Sequence, residues 1–103
     1  MLLNTQQAKV LFALTYNSGI TSNFDCTVDD HDPVPAIVIV DEISEITDLR
    51  IQFKKINRVD SNGIVKRERV YKLHLKDKPE AEMILDKAID QLNRDRVPLD
   101  FLA

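Results

Sequence analysis

Two long strand-like runs flank Ser61-Asn62-Gly63, and they constrain the fold more than any other part of this 103-residue chain. Residues 49–59 and 64–75 are rich in β-branched and aromatic side chains, which favour strands. An Asn-Gly pair between two such runs is typical of a tight turn. The sequence therefore predicts a long β-hairpin in an antiparallel sheet.

The length of the connecting loop decides which side chains face each other across this hairpin. A two-residue turn at Asn62-Gly63 would place apolar groups opposite polar ones at the base, with Phe53 opposite Lys72. With a three-residue loop and Gly63 at a positive φ, every cross-strand pair at the base of the hairpin is apolar on both sides. Its base pairs are Phe53 with Tyr71, Ile51 with Leu73 and Leu49 with Leu75. We therefore expect the three-residue loop, with the base pairs in the core.

The same register predicts a basic outer half. Its cations are Lys54, Lys55, Arg58, Lys66, Arg67 and Arg69. Lys55 falls opposite Arg69 and Arg58 opposite Lys66, and like charges that face each other across strands are destabilising. At about 3.4 Å per residue, the tip would lie roughly 20 Å beyond the last apolar pair. The hairpin is thus expected to extend from the core as a basic arm.

Charge is segregated along the chain. Residues 1–49 contain Lys9 as their only base against eight acids, whereas residues 50–77 contain nine bases against three acids. The whole chain carries a net charge of −3. Acidic surface of this chain or of a partner is therefore expected to attract the arm.

Helical periodicity appears near both ends. Thr5 is a candidate cap for a helix over residues 6–17, which Gly19 would end in a left-handed turn. This helix is apolar on most of its circumference, so it must be covered on more than one side. Asp77, Pro79 and Glu80 are typical of the start of a second helix, with apolar residues at helical spacing through Leu92.

Two more strands are predicted between the first helix and the hairpin. Residues 24–28 alternate apolar and polar side chains, and residues 36–40 form a continuous apolar run of the kind found in central strands. Residues 41–48 fit either a helical turn or a connecting loop. The resulting fold class is α+β: a mostly antiparallel sheet with a long hairpin and a helix at each end, in the order α-β-β-β-β-α.

Length and composition predict a single α+β domain over residues 1–103, with residues 94–103 as an apolar docking tail. The tail residues expected to contact a partner are Leu99, Phe101 and Leu102. Apolar runs are too short to cross a bilayer, and the single cysteine cannot form an internal disulfide, so we expect a cytoplasmic protein without membrane contact.

The chain offers little for catalysis. Residues 29–32, Asp-Asp-His-Asp, contain enough ligands for a metal ion, but adjacent turn residues seldom converge on one ion, and a solvated turn is favoured. His74 and Cys26 stand alone without a partner motif, and are more typical of packing residues than of a base or nucleophile. We therefore expect no enzyme, no cofactor and no metal site.

Two functions remain. The favoured one is protein-protein interaction, self-association as a homodimer included, through the basic arm, the apolar tail and the first helix. The alternative is nucleic-acid binding, in which the six arm cations contact phosphates. Against it stand the acidic total charge and the lack of an exposed aromatic between the bases of the arm, since Tyr71 is assigned to the core.

Overall fold

The computed structural model describes residues 2–17, 19–28 and 34–102. The helices are α1 (Thr5–Tyr16), α2 (Ala36–Ile46) and α3 (Lys78–Arg94), and the strands are β1 (Ile20–Thr21), β2 (Ile51–Val59) and β3 (Val65–Leu73). Short 3₁₀ helices cover Leu75–Asp77 and Asp100–Leu102. The α+β class is confirmed, but the predicted order of four strands is not, because the described residues contain three strands and a helix over Ala36–Ile46.

Helix α1 begins one residue before the expected position. Asn4, not Thr5, caps it, because the Asn4 side chain accepts the Gln7 N–H at 2.8 Å while the Gln7 side chain accepts the Asn4 N–H at 3.0 Å. The helix is buried on several sides, as predicted, and it packs against both α2 and α3. The ring of Phe101 in the tail lies 5.6 Å from that of Phe12. Other parts of the same chain therefore cover much of α1.

The run at residues 36–40 is helical, and its prediction as a strand is wrong. Ala36, Ile39, Val40 and Ile43 are the buried positions of α2, and their spacing matches one face of a helix. The ambiguous residues 41–46 continue this same helix. The strand predicted over residues 24–28 is also wrong, since residues 24–27 have no regular structure and Val28 makes only an isolated bridge.

Helix α3 confirms the second helix prediction. Pro79 lies in its first turn, where its missing N–H costs nothing. Ala81, Leu85, Ala88 and Leu92 are buried in the core. The helix therefore closes one side of the domain with a single apolar stripe.

The sheet has the strand order β1-β3-β2 and is antiparallel throughout. Phe53 lies opposite Tyr71 and Ile51 opposite Leu73, as the three-residue loop predicts. The third expected base pair is wrong. Strand β3 ends at Leu73, and the His74 ring then accepts the Lys76 N–H at 3.2 Å. Leu75 therefore starts a 3₁₀ turn and is 85% exposed, while Leu49 is buried.

Gly19 does not end helix α1 as the sequence predicted, but has another role. Helix α1 ends with Asn17 in an extended conformation, and Gly19 has a φ of +157°. A Cβ on Gly19 would lie 3.1 Å from Val70 Cγ1 and 3.2 Å from the Tyr71 carbonyl oxygen. Glycine is therefore needed here because the chain passes close to β3.

Candidate functional site: a basic hairpin arm

The tip of the hairpin is fixed by Asp60 and Gly63. The Asp60 carboxylate accepts the N–H groups of Asn62 and Ile64, each at 2.9 Å, and the Asp60 carbonyl accepts the Gly63 N–H at 3.0 Å. Gly63 has a φ of +77°, as the predicted loop requires. These local bonds set the register of β2 and β3, the strands on either side of the turn.

The root of the hairpin is held by a third strand that soon ends. Ile20 and Thr21 of β1 pair with Tyr71 and Val70, and the Ser22 N–H then donates to the Arg69 carbonyl at 2.9 Å. Among the described residues, no strand flanks β3 beyond this point. Residues 54–69, which we call the arm, are therefore mostly a two-stranded ribbon.

The dimensions of the molecule agree with an extended arm. The radius of gyration is 14.4 Å, against about 13 Å for a compact chain of this length, and the longest axis measures 48 Å against 31 and 23 Å for the others. The arm residues are largely exposed to solvent. The ribbon is thus presented outside the core.

All six predicted cations lie on the arm. Lys54, Lys55, Arg58, Lys66 and Arg67 are exposed and Arg69 is half-buried. Lys55 lies opposite Arg69 and Arg58 opposite Lys66, so the like-charge pairs expected from the register are present. Asp60 and Glu68 are the only acids of the arm. The arm therefore carries an excess of positive charge that its own acids do not balance.

Glu68 is the one acidic side chain buried on the arm, and it lies on the face that carries Ile56. Its Oε1 accepts a hydrogen bond from the Asn23 amide at 3.0 Å, and its Oε2 lies 3.4 Å from Arg58 Nε without hydrogen bonding it. Because Glu68 lies near Arg58 without hydrogen bonding it, Glu68 offsets only part of the charge of Arg58, whose side chain stays 60% exposed.

Phe53 departs from its predicted place in the core. Its side chain is 55% exposed, while Tyr71 opposite it is buried. The Arg69 guanidinium lies 4.9 Å from the Phe53 ring centroid, a cation-π contact, and the Tyr71 ring is 6.3 Å away. An exposed aromatic therefore lies beside a cation where the arm begins, although the sequence interpretation assigned Phe53 to the core.

The tip adds apolar surface that the sequence interpretation did not single out. Val59 and Val65 are paired across the strands, and Ile64 follows the turn; all three are more than half exposed. Val59 and Val65 thus place two exposed aliphatic side chains next to each other near the tip. The signal was available in the sequence, since the register puts Val59 opposite Val65.

Arg50 and Asp77 clamp the base of the hairpin to α3. Asp77 accepts the Arg50 backbone N–H at 2.7 Å, and its two oxygens accept the guanidinium at 3.0 and 2.8 Å. These hydrogen bonds lower the pKa of Asp77 to about 2. The clamp ties the residue before β2 to the residue before α3.

The predicted tail contacts lie mostly against the core of the same chain. Leu99 and Phe101 are half-buried against the core, and Leu102 is 41% exposed. The tail thus docks on its own chain through two of its three predicted residues, and their burial needs no second subunit.

Other candidate groups have structural environments. Burial raises the pKa of the Cys26 thiol, which disfavours a reactive thiolate. A cavity of about 440 Å³ lies near Tyr16, His74 and Lys78, and the His74 ring in its wall is hydrogen-bonded to backbone. The metal-site candidate at residues 29–32 lies outside the described residues. Within the described ranges no group of three metal-ligating side chains converges.

Comparisons with protein families, curated proteins and solved structures find no match to this chain. Among residues 2–17, 19–28 and 34–102, no helix is long and apolar enough to cross a membrane. The arm is therefore the feature of the described residues from which a function can be inferred.

Proposed function

We propose that this chain is a small protein-interaction module that binds acidic protein surfaces through its basic arm. The observation that carries the proposal is the concentration of exposed cations on a two-stranded ribbon outside the core. Complementary charge guides such contacts and fixes their orientation. The exposed apolar side chains at the tip and Phe53 add the contact area that charge alone does not supply.

A second copy of the chain offers one such acidic surface. Helix α2 exposes Asp41 and Glu45, and Asp48 follows it, also exposed, with no base on the helix. An arm lying on the α2 of another copy would give the self-association predicted from the sequence. The first helix and most of the tail do not support this contact, because the chain already packs against them.

Charge reversal at the outer arm tests the proposal. Lys66→Glu combined with Arg67→Glu changes two exposed arm cations that form no ion pair within the described part of the chain. Binding to poly-L-glutamate, a mimic of acidic protein surface, is measured by fluorescence anisotropy at low and high salt. We expect about a two- to thirtyfold loss at low salt, since two exposed charge contacts at about 0.2–1 kcal/mol each are removed.

Lys76→Glu combined with Lys87→Glu is the matched control. Both cations are exposed outside the arm, and the control changes the net charge by the same amount. Binding that falls equally in both double variants would mean that total charge, not the arm, is responsible. Sedimentation at low and high salt then shows whether the wild-type chain associates through the same charges.

Nucleic-acid binding is the second candidate function, and the environment of Phe53 favours it. An exposed ring beside Arg69 and Lys55 provides stacking and phosphate contacts on one face of the ribbon. If this function is correct, Phe53→Ala should weaken oligothymidylate binding more than poly-L-glutamate binding. Oligothymidylate binding without poly-L-glutamate binding would favour this candidate over the first.

A further inference from the structure

Strand β2 is the outer strand of the sheet. In the described part of the chain, β3 is its only partner. Two backbone hydrogen bonds lie at the ends of the ladder between β2 and β3. The His74 N–H donates to the Arg50 carbonyl at one end, and the Asp60 N–H donates to the Ile64 carbonyl at the other. Because bonded and non-bonded pairs alternate in an antiparallel ladder, even-numbered residues of β2 bond to β3. The amide groups of residues 51, 53, 55, 57 and 59 therefore point to the unoccupied edge.

The charge of this edge selects what pairs with it. Strand β2 carries Lys54, Lys55 and Arg58 and no acid. Two β2 strands side by side would bring six cations together, which protects the edge from pairing with its own copy. A strand that contributes acids at these positions would instead form opposite-charge pairs.

An apolar groove lies along the same strand. It has a volume of about 360 Å³ and is lined by Gln52, Phe53, Lys54, Ile56, Val70 and Lys72. Ile56 and Val70 are its half-buried aliphatic residues, and the lysines flank them. A strand added at the edge would place an alternate apolar side chain over this groove.

We propose that β2 binds an extended acidic segment of a partner protein by antiparallel strand addition. This inference rests on the proposed function and specifies the partner. Opposite-charge pairing places acids facing Lys54, Lys55 and Arg58, and apolar residues facing Phe53 and Ile56. The partner segment then reads, from its amino end, acid, any residue, apolar, acid, acid, apolar. Backbone bonds supply affinity and these side chains supply specificity.

A synthetic peptide with this pattern, Thr-Glu-Gln-Val-Glu-Glu-Val-Thr, is the probe. Its third, fifth and seventh residues would face Asn57, Lys55 and Phe53, and their N–H groups would point at β2. We expect N-methylation of those three amides to weaken binding to the full chain at least tenfold at unchanged charge. Replacing the three Glu residues by Gln should weaken it to a similar extent.

A variant of the protein tests the same contact from the other side. Asn57→Pro removes an N–H that points outward and leaves the ladder to β3 intact, and Asn57→Ala is its matched control. We expect loss of peptide binding only for the proline variant, with circular dichroism confirming that both fold. If the proline variant does not fold, the N-methylated peptide decides the question alone.

Each contrary outcome has a separate meaning. An N-methylated peptide that binds as well as the parent overturns strand addition and leaves the proposed function standing. Binding of poly-L-glutamate without binding of the peptide also overturns the inference alone. Failure of both acidic probes overturns the inference together with the proposed function.

Discussion

Replacing Gly19 by alanine tests the packing that holds the root of the arm. The new Cβ would lie 3.1 Å from Val70 Cγ1 and 3.2 Å from both Lys72 Cγ and the Tyr71 carbonyl oxygen. The φ of +157° adds backbone strain for any residue with a Cβ. Backbone strain of about 1–3 kcal/mol and crowding of about 1–3 kcal/mol together predict a loss of about 2–6 kcal/mol in the free energy of unfolding.

Gly63→Ala provides the matched control for this substitution. Gly63 also has a positive φ, but a Cβ there would meet nothing within 4 Å. Gly63→Ala should therefore lower the free energy of unfolding only by the cost of placing alanine at a positive φ, about 1–2 kcal/mol. The comparison isolates the effect of the close approach to β3.

Urea unfolding and thermal unfolding, both followed by far-ultraviolet circular dichroism, measure both variants. For a domain of this size, each kcal/mol shifts the Tm by about 4–8 °C, so Gly19→Ala should melt several degrees below Gly63→Ala. An unchanged slope of free energy against urea would show that the two variants share the same unfolding reaction. Equal losses for the two substitutions would refute the contact between Gly19 and β3.

Two further substitutions test the base of the hairpin. The folded-state pKa of Asp77, about 2, is below its ordinary 3.8, so the clamp to Arg50 contributes stability above pH about 4 and loses it as pH falls toward 2. Asp77→Asn should therefore flatten this part of the stability-pH curve; an unchanged curve argues against the clamp. The buried Tyr71 hydroxyl has no hydrogen-bond partner among the described residues, so Tyr71→Phe should be neutral or stabilising by about 1 kcal/mol in thermal unfolding, and a clear loss would reveal a partner.

The sequence predicts what local periodicity and turn chemistry decide. Helices α1 and α3 follow their apolar spacing, and the hairpin register follows from matching apolar groups at its base. Helix α2 was missed because residues 36–40 are apolar at every position, and such a run has no period of its own. Only by including Ile43 does the spacing from Ala36 become helical. Strand β1 has two residues, too few for any periodic signal.

The sequence predicted the positions of the charged residues of the candidate site but not which of its apolar side chains are exposed. The six cations and their cross-strand pairs follow from the register, which local residues set. The exposure of Phe53 depends on how far the core extends along β2, and pairing alone does not fix that distance. Leu75 does not pair with Leu49 as predicted, because the chain forms a 3₁₀ helix before α3. Tertiary packing therefore decided which apolar side chains of the hairpin face water.

Nuclear magnetic resonance of the isotopically labelled chain, titrated with the acidic peptide, tests the central claim most directly. The account predicts that amide shifts concentrate on β2 and on the facing residues of the arm, and that they diminish with added salt. Shifts that cluster instead around the cavity near Tyr16, His74 and Lys78, with none along the arm, would contradict it.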